Sequence, residues 1–187
     1  MSDHLDPSTM HWMRKPSRYM ITDERLVLET EPYTSFQSLS YDSTDAFGMT
    51  LDPMDSFCFS VRMDYHFQNL EDECGILLRQ SNTRWAKAGL ECRPDGVDLA
   101  CTVYGNGYGD RSCRLLGSGI RWMYLRVIYW NGNVRFQYSF NGEKYSDMRW
   151  LHFTSETVPV IAGIYACSPG DSFFDCTFSC LQLKQMI

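Results

Sequence analysis

Apolar and polar side chains alternate along most of this chain. From Phe57 to Tyr65, the apolar Phe57, Phe59, Val61, Met63 and Tyr65 are interleaved with Cys58, Ser60, Arg62 and Asp64. This is the period-two pattern of a strand with one face in a core. The same pattern predicts strands near 25–30, 35–41, 56–66, 74–80, 84–92, 96–104, 121–130, 133–140, 145–152, 158–166 and 173–184. Asp95-Gly96, Asn131-Gly132 and Asn141-Gly142 join several of them, and such dipeptides accept the positive φ of tight hairpin turns. The stretch 43–55 holds Gly48 and Pro53 and reads as a loop, as does the glycine-rich Gly105-Asn106-Gly107-Tyr108-Gly109. No long amphipathic helix interrupts the series, so the expected fold is all-β, a sandwich of two antiparallel sheets.

Composition narrows the class. With 187 residues, 44% of them hydrophobic and 14% aromatic, the chain can build one ordinary core and is no candidate for disorder. The polar residues 1–11 read as a flexible N-terminal segment, and residues 12–187 as a single domain. The net charge of -6 has the wrong sign for neutralising phosphates, which argues against nucleic acid and anionic membrane as partners. The first residues lack the apolar run of a secretory signal, which makes a cytoplasmic protein the expectation. The 8 cysteines contain no C-x-x-C pair and are expected as free thiols, with no metal and no organic cofactor.

Strand parity also sorts side chains by face. In residues 84–92, Ala86, Ala88 and Leu90 form the apolar set, which sends Trp85, Lys87, Gly89 and Glu91 to the opposite face. The same sorting turns Arg79, Thr102, Tyr104, Tyr124 and Arg126 outward. If those strands are neighbours in one sheet, these side chains pool into one surface that mixes aromatic faces with charged hydrogen-bonding groups, as a saccharide or other small polar ligand requires. The expected ligand-binding set is Arg79, Trp85, Lys87, Glu91, Tyr104, Asp110 and Arg126, with Trp85 as stacking platform. The competing reading is a covered face on which Glu91 forms a structural ion pair with Arg79 or Arg126.

No catalytic residues are assigned. A glycosidase needs two carboxylates flanking the scissile bond. Glu91 has no second carboxylate two or four residues away on its strand, and Glu71-Asp72-Glu73 reads as a solvated loop. Asp110 is the residue that could pair with Glu91 in space. His66 and His152 are isolated in the sequence and match no metal or triad spacing.

Several segments resemble a known family. Trp12-Met13-Arg14-Lys15-Pro16-Ser17-Arg18-Tyr19, Gly75-Ile76-Leu77-Leu78-Arg79, Trp85-Ala86-Lys87-Ala88-Gly89-Leu90-Glu91, Leu125-Arg126-Val127, Tyr138-Ser139-Phe140-Asn141-Gly142 and Cys167-Ser168-Pro169 occur in its order. The family consists of largely uncharacterised domains and includes the fungal regulation-of-enolase protein. The resemblance spans residues 12–184 and implies a concanavalin A-like jelly roll, the sandwich of legume lectins and several glycanases. It implies no activity, since one fold hosts many functions. Relatives tend to carry Asp-Phe-Trp where this chain has Ser35-Phe36-Gln37, and Ser-Asp-Trp-Ser where it has Gly109-Asp110-Arg111-Ser112. The leading expectation is therefore a lectin-like carbohydrate-binding protein. The alternatives are a non-catalytic module acting on a metabolic enzyme such as enolase, and a sugar-active hydrolase or isomerase.

Overall fold

The computed structural model describes residues 3–37 and 40–186. Its strands, in chain order, are β1 (His11–Arg14), β2 (Tyr19–Ile21), β3 (Arg25–Glu29), β4 (Phe47–Thr50), β5 (Phe57–Tyr65), β6 (Glu73–Ser81), β7 (Arg84–Arg93), β8 (Gly96–Gly105), β9 (Tyr108–Leu115), β10 (Trp122–Trp130), β11 (Asn133–Ser139), β12 (Ser146–His152), β13 (Ile161–Cys167) and β14 (Asp175–Gln185). They form two seven-stranded antiparallel sheets. The first runs β1-β4-β13-β6-β7-β8-β9 and the second β12-β11-β10-β5-β14-β3-β2. The fold is a concanavalin A-like jelly roll. Among the described residues the only helical pieces are short 3₁₀ turns at Pro7–Thr9 and Tyr41–Ser43. No helix there is long and apolar enough to cross a membrane.

The alternating residues fill the space between the sheets. Phe57, Phe59, Val61 and Met63 of β5 pack with Ala86, Ala88 and Leu90 of β7, Leu125 and Val127 of β10 and Phe136 of β11 in one buried cluster. The β10–β11 connection is the two-residue hairpin expected of Asn131-Gly132, whose φ angles are 48° and 74°.

Three segments depart from the sequence reading. The strand expected at 35–41 does not form: residues 35–37 are irregular, Tyr41 opens a 3₁₀ turn, and Ser38 and Leu39 lie outside the described residues. The expected loop at 43–55 contains β4, where Phe47, Gly48 and Met49 are all buried between β1 and β13, so there is no polar face to produce alternation. The expected loop at 105–109 opens β9, an edge strand exposed along its whole length, which again erases the alternation. Within the segment set apart at 1–11, Leu5 N donates to Leu181 O, Met10 is buried and His11 begins β1.

The outer face of the first sheet carries a second, smaller buried cluster: Phe36, Tyr41, Ala46, Leu77, Trp85, Tyr165 and Cys167. Phe36, from the irregular segment after β3, stacks on Tyr165 at 4.8 Å and meets Trp85 edge-on at 4.7 Å. Asn82, in the β6–β7 turn, fastens this cover: its carbonyl accepts from Tyr41 N and its side-chain oxygen from Asp42 N.

Candidate functional site

Beside that covered cluster the same face stays open, and the register explains why. Reading across the strands, Tyr165, Gly75, Gly89, Ala100 and Cys113 are successive partners on β13, β6, β7, β8 and β9. Three neighbouring positions in this row have no side chain beyond a methyl group; the Tyr165 hydroxyl reaches over Gly89, and the trough that remains runs toward Ala100. One flanking row holds three carboxylates, Glu73, Glu91 and Asp98, in direct opposition. The other holds Leu77, Lys87, Thr102 and Arg111. Gly89 has a specific reason to be glycine: a Cβ there would stand 2.3 Å from Cys74 O and 2.9 Å from the Tyr165 hydroxyl.

Like charges opposed across a sheet destabilise it unless cations intervene, and here cations reach diagonally over the trough. Lys87 Nζ donates to both oxygens of Glu73, at 2.6 and 2.8 Å, with both side chains buried. The Tyr165 hydroxyl and the Cys167 thiol also donate to Glu73, at 3.3 and 3.4 Å. Arg111 Nη2 donates to Glu91 Oε2 at 2.7 Å, and Arg93 Nη2 approaches Glu91 Oε1 at 2.9 Å. Arg93 Nε donates to Asp98 at 3.3 Å. Burial works against the Arg111 charge, but the hydrogen bond and charge of Glu91 outweigh it and hold the guanidinium above its ordinary value. Burial pushes the Tyr104 and Tyr165 phenols up.

The result is a cavity of about 290 Å³ lined by Lys87, Glu91, Arg93, Thr102, Tyr104 and Arg111, together with Gln37 and Gly89. It sits at the lower end of the roughly 300–1,000 Å³ range of ligand pockets. Its lining charges balance, with Glu71, Glu73 and Glu91 against Lys87, Arg93 and Arg111. Neither Thr102 nor Tyr104 makes a side-chain hydrogen bond among the described residues, so both hydroxyls remain for a ligand. Gln37 and Arg111 both line this cavity.

Of the expected ligand-binding set, Lys87, Glu91 and Tyr104 meet here and the others do not. Trp85 is on the expected face but is fully buried beneath Phe36 and Tyr41, so it cannot be a stacking platform. Tyr104 lies against it, with rings 4.0 Å apart at 22°. Arg79 is occupied by the cover, over the Tyr41 ring at 4.3 Å and 3.6 Å from Asp42. Asp110 pairs with Arg149 of the second sheet at 2.7 Å, not with Glu91. Arg126 and Tyr124 belong to the second sheet, because the chain crosses between sheets after β9. The partner of Glu91 is therefore neither Arg79 nor Arg126 but the pair Arg93 and Arg111.

In the acidic stretch 71–73 Glu71 is an exposed turn residue as expected, but the other two are buried. Asp72 is fully buried and accepts from the backbone N–H groups of Gln68 and Asn69, while Glu73 begins β6. Glu73 is the residue that sequence reasoning missed; its parity with Gly75, Leu77 and Arg79 carried the signal. His152 likewise has neighbours, Asn133 Oδ1 at 3.3 Å and Ser155 Oγ at 2.9 Å, at the exposed end of β12.

Directly opposed residues of an antiparallel pair stand about 4.5–5.5 Å apart at Cα, so Glu73 and Glu91 are neighbours in space. Glycoside cleavage also needs one of two such carboxyls to be a proton donor. Each of these already accepts from a cation.

Comparison with known proteins agrees with this architecture. Regulation of enolase protein 1 of Saccharomyces cerevisiae is 29% identical over 181 residues, 95% of this chain and 90% of that protein. A crystal structure of a functionally unknown protein from Saccharomyces cerevisiae superposes with a TM-score of 0.87 at 25% identity, over 97% of this chain and 99% of the other. The GH43 BlXynB protein from Bacillus licheniformis superposes with a TM-score of 0.76 at 13% identity, over 99% of this chain but 39% of that one, which is a likeness of fold alone. The family described as "Protein of unknown function (DUF1349)" matches residues 12–186, and the chain belongs to that family.

Proposed function

We propose that the cavity over Gly89 binds a neutral, polyhydroxylated small molecule of about one saccharide ring. The observation that carries this reading is the pairing of an aromatic face with a charge-balanced polar wall. Tyr104 rests one ring face on Trp85, while its other side borders Gly109, where there is no side chain to cover it. Sugar rings stack their C–H faces on such surfaces. Around it, Thr102 supplies a hydroxyl, Arg111 retains donors beyond its bond to Glu91, and the paired carboxylates accept from hydroxyl groups. An anionic ligand would gain nothing from a wall whose charges already balance.

The test is calorimetric titration of the full chain with a panel of neutral monosaccharides and polyols. A saturable ligand whose binding is lost in Tyr104→Ala and weakened in Arg111→Ala supports the reading. Absence of any ligand, or binding indifferent to Tyr104→Ala, overturns it.

A second reading, a module acting on a metabolic enzyme, is favoured by the name of the yeast relative. Exposed Trp130 and Trp150, on the second sheet, are the apolar contacts it would use. Sedimentation of the purified chain with purified enolase from the same source tests it: a complex lost in a Trp130→Ser, Trp150→Ser variant supports this reading, and independent sedimentation removes it.

A further inference from the structure

Arg126, left out of the cavity above, stands in a groove of its own on the outer face of the second sheet. The register places it beside Ser60 of β5, with Gln182 of β14 beyond; in the adjoining row Ile128, Cys58 and Lys184 are partners. These residues and Tyr145 line a groove of about 700 Å³.

The guanidinium is fixed in place without being neutralised. Its plane lies over the Tyr145 ring at 3.7 Å, and its Nε donates to Gln137 Oε1 at 2.8 Å. Gln137 is buried and is itself held by Asp147, to which it donates at 2.9 Å. Asp147 in turn carries a two-pronged bond from Arg135. Arg62, Arg93, Arg111, Arg135 and Arg149 each spend a terminal nitrogen on a carboxylate. Arg126 spends neither of its own on any group among the described residues. Lys184 has no ion-pair partner there either. Asp3 and Glu143 also line the groove, but they are exposed and neither comes within 4.0 Å of either cation.

We propose that this groove binds the phosphate group of a small phosphorylated molecule. The free end of an oriented guanidinium presents two parallel donors, the geometry that grips two oxygens of one anion. Lys184 lies two strands away, roughly 10 Å across the sheet, and in the adjoining row, which leaves a single group held above Ser60 and Cys58 within reach of both long side chains. Two unspent cations match a phosphate monoester, which carries about −1.5 to −2 at pH 7, better than a carboxylate with its single charge. The Ser60 hydroxyl lies between them, with the Tyr145 hydroxyl as a neighbour.

The test is titration of the full chain with inorganic phosphate and glycerol 3-phosphate, followed by calorimetry, with sodium acetate and sodium chloride at matched ionic strength as comparisons. Saturable binding of phosphate and the monoester, weakened roughly tenfold or more in Arg126→Gln and in Lys184→Gln, is the expected result. Lys184 is exposed, so its variant reports on binding whether or not Arg126→Gln perturbs the fold. Equal responses to chloride and phosphate overturn the proposal, as does phosphate affinity unchanged in Lys184→Gln. Acetate bound as tightly as phosphate overturns the assignment of the anion. Tyr104→Ala leaves phosphate binding unchanged, so this site and the cavity on the first sheet fail or succeed separately.

Discussion

Tyr104 lies face to face with Trp85, ring centroids 4.0 Å apart, and its ring borders Gly109 on the neighbouring strand. Two aromatic residues next to each other thus take different roles: Trp85 is the backing and Tyr104 the surface. A Cβ at Gly109 would come within 2.8 Å of the Tyr104 ring. Gly109→Ala is therefore expected to tilt or cover that ring and weaken saccharide binding, while changing the urea midpoint little because β9 is an exposed edge. Calorimetry and urea denaturation on the same variant check both halves.

Trp85→Ala should act on stability instead. Removing a fully buried indole that packs against Phe36, Tyr41 and Tyr104 is expected to cost about 3–5 kcal/mol. Urea denaturation reads the loss. A variant as stable as the parent would mean that the cover contributes nothing.

Lys87→Met leaves Glu73 buried with its cation gone, and breaking a buried pair on one side costs about 3–5 kcal/mol. Glu73→Gln with Lys87→Met removes both charges, and it is expected to recover a substantial part of that loss. A double variant no better than Lys87→Met alone would show that the pair is not the source of the cost.

Stability should fall on the alkaline side. Burial pushes the thiol of Cys101 up to about 12 and the phenol of Tyr41 up to about 12, and it raises Cys74, Cys167 and Tyr165 as well. These acids stay protonated in the fold while the unfolded chain releases its protons near the ordinary values of 9.0 and 10.0. The contribution is complete below about pH 9 and is lost as pH rises toward 12. Urea midpoints measured under reducing conditions at pH 7.5, 9 and 10 should decline across the series; a flat series would contradict it.

Parity was legible where strands have one wet and one dry face. It placed Ala86, Ala88 and Leu90 between the sheets and Lys87, Tyr104 and Glu91 together on the other side. It fails where both faces share one environment, at buried Phe47, Gly48 and Met49 and at exposed Tyr108–Leu115. Alternation also says nothing about what lies over a face: the burial of Trp85 comes from Phe36 and Tyr41, some fifty residues earlier, through contacts that no local pattern encodes. Nor does it give the order of strands. Grouping Arg126 with Trp85 takes consecutive strands as neighbours, and the crossover after β9 puts the two residues on different sheets.

The row from Tyr165 to Cys113 is blocked at one end and open at the other, since Tyr165 is buried and Cys113 exposed. A guest seated beside Gly89 would have buried residues on its Tyr165 side and the exposed edge strand β9 on the other. A chain of linked sugars with one unit in that place would run its remaining units out past Cys113.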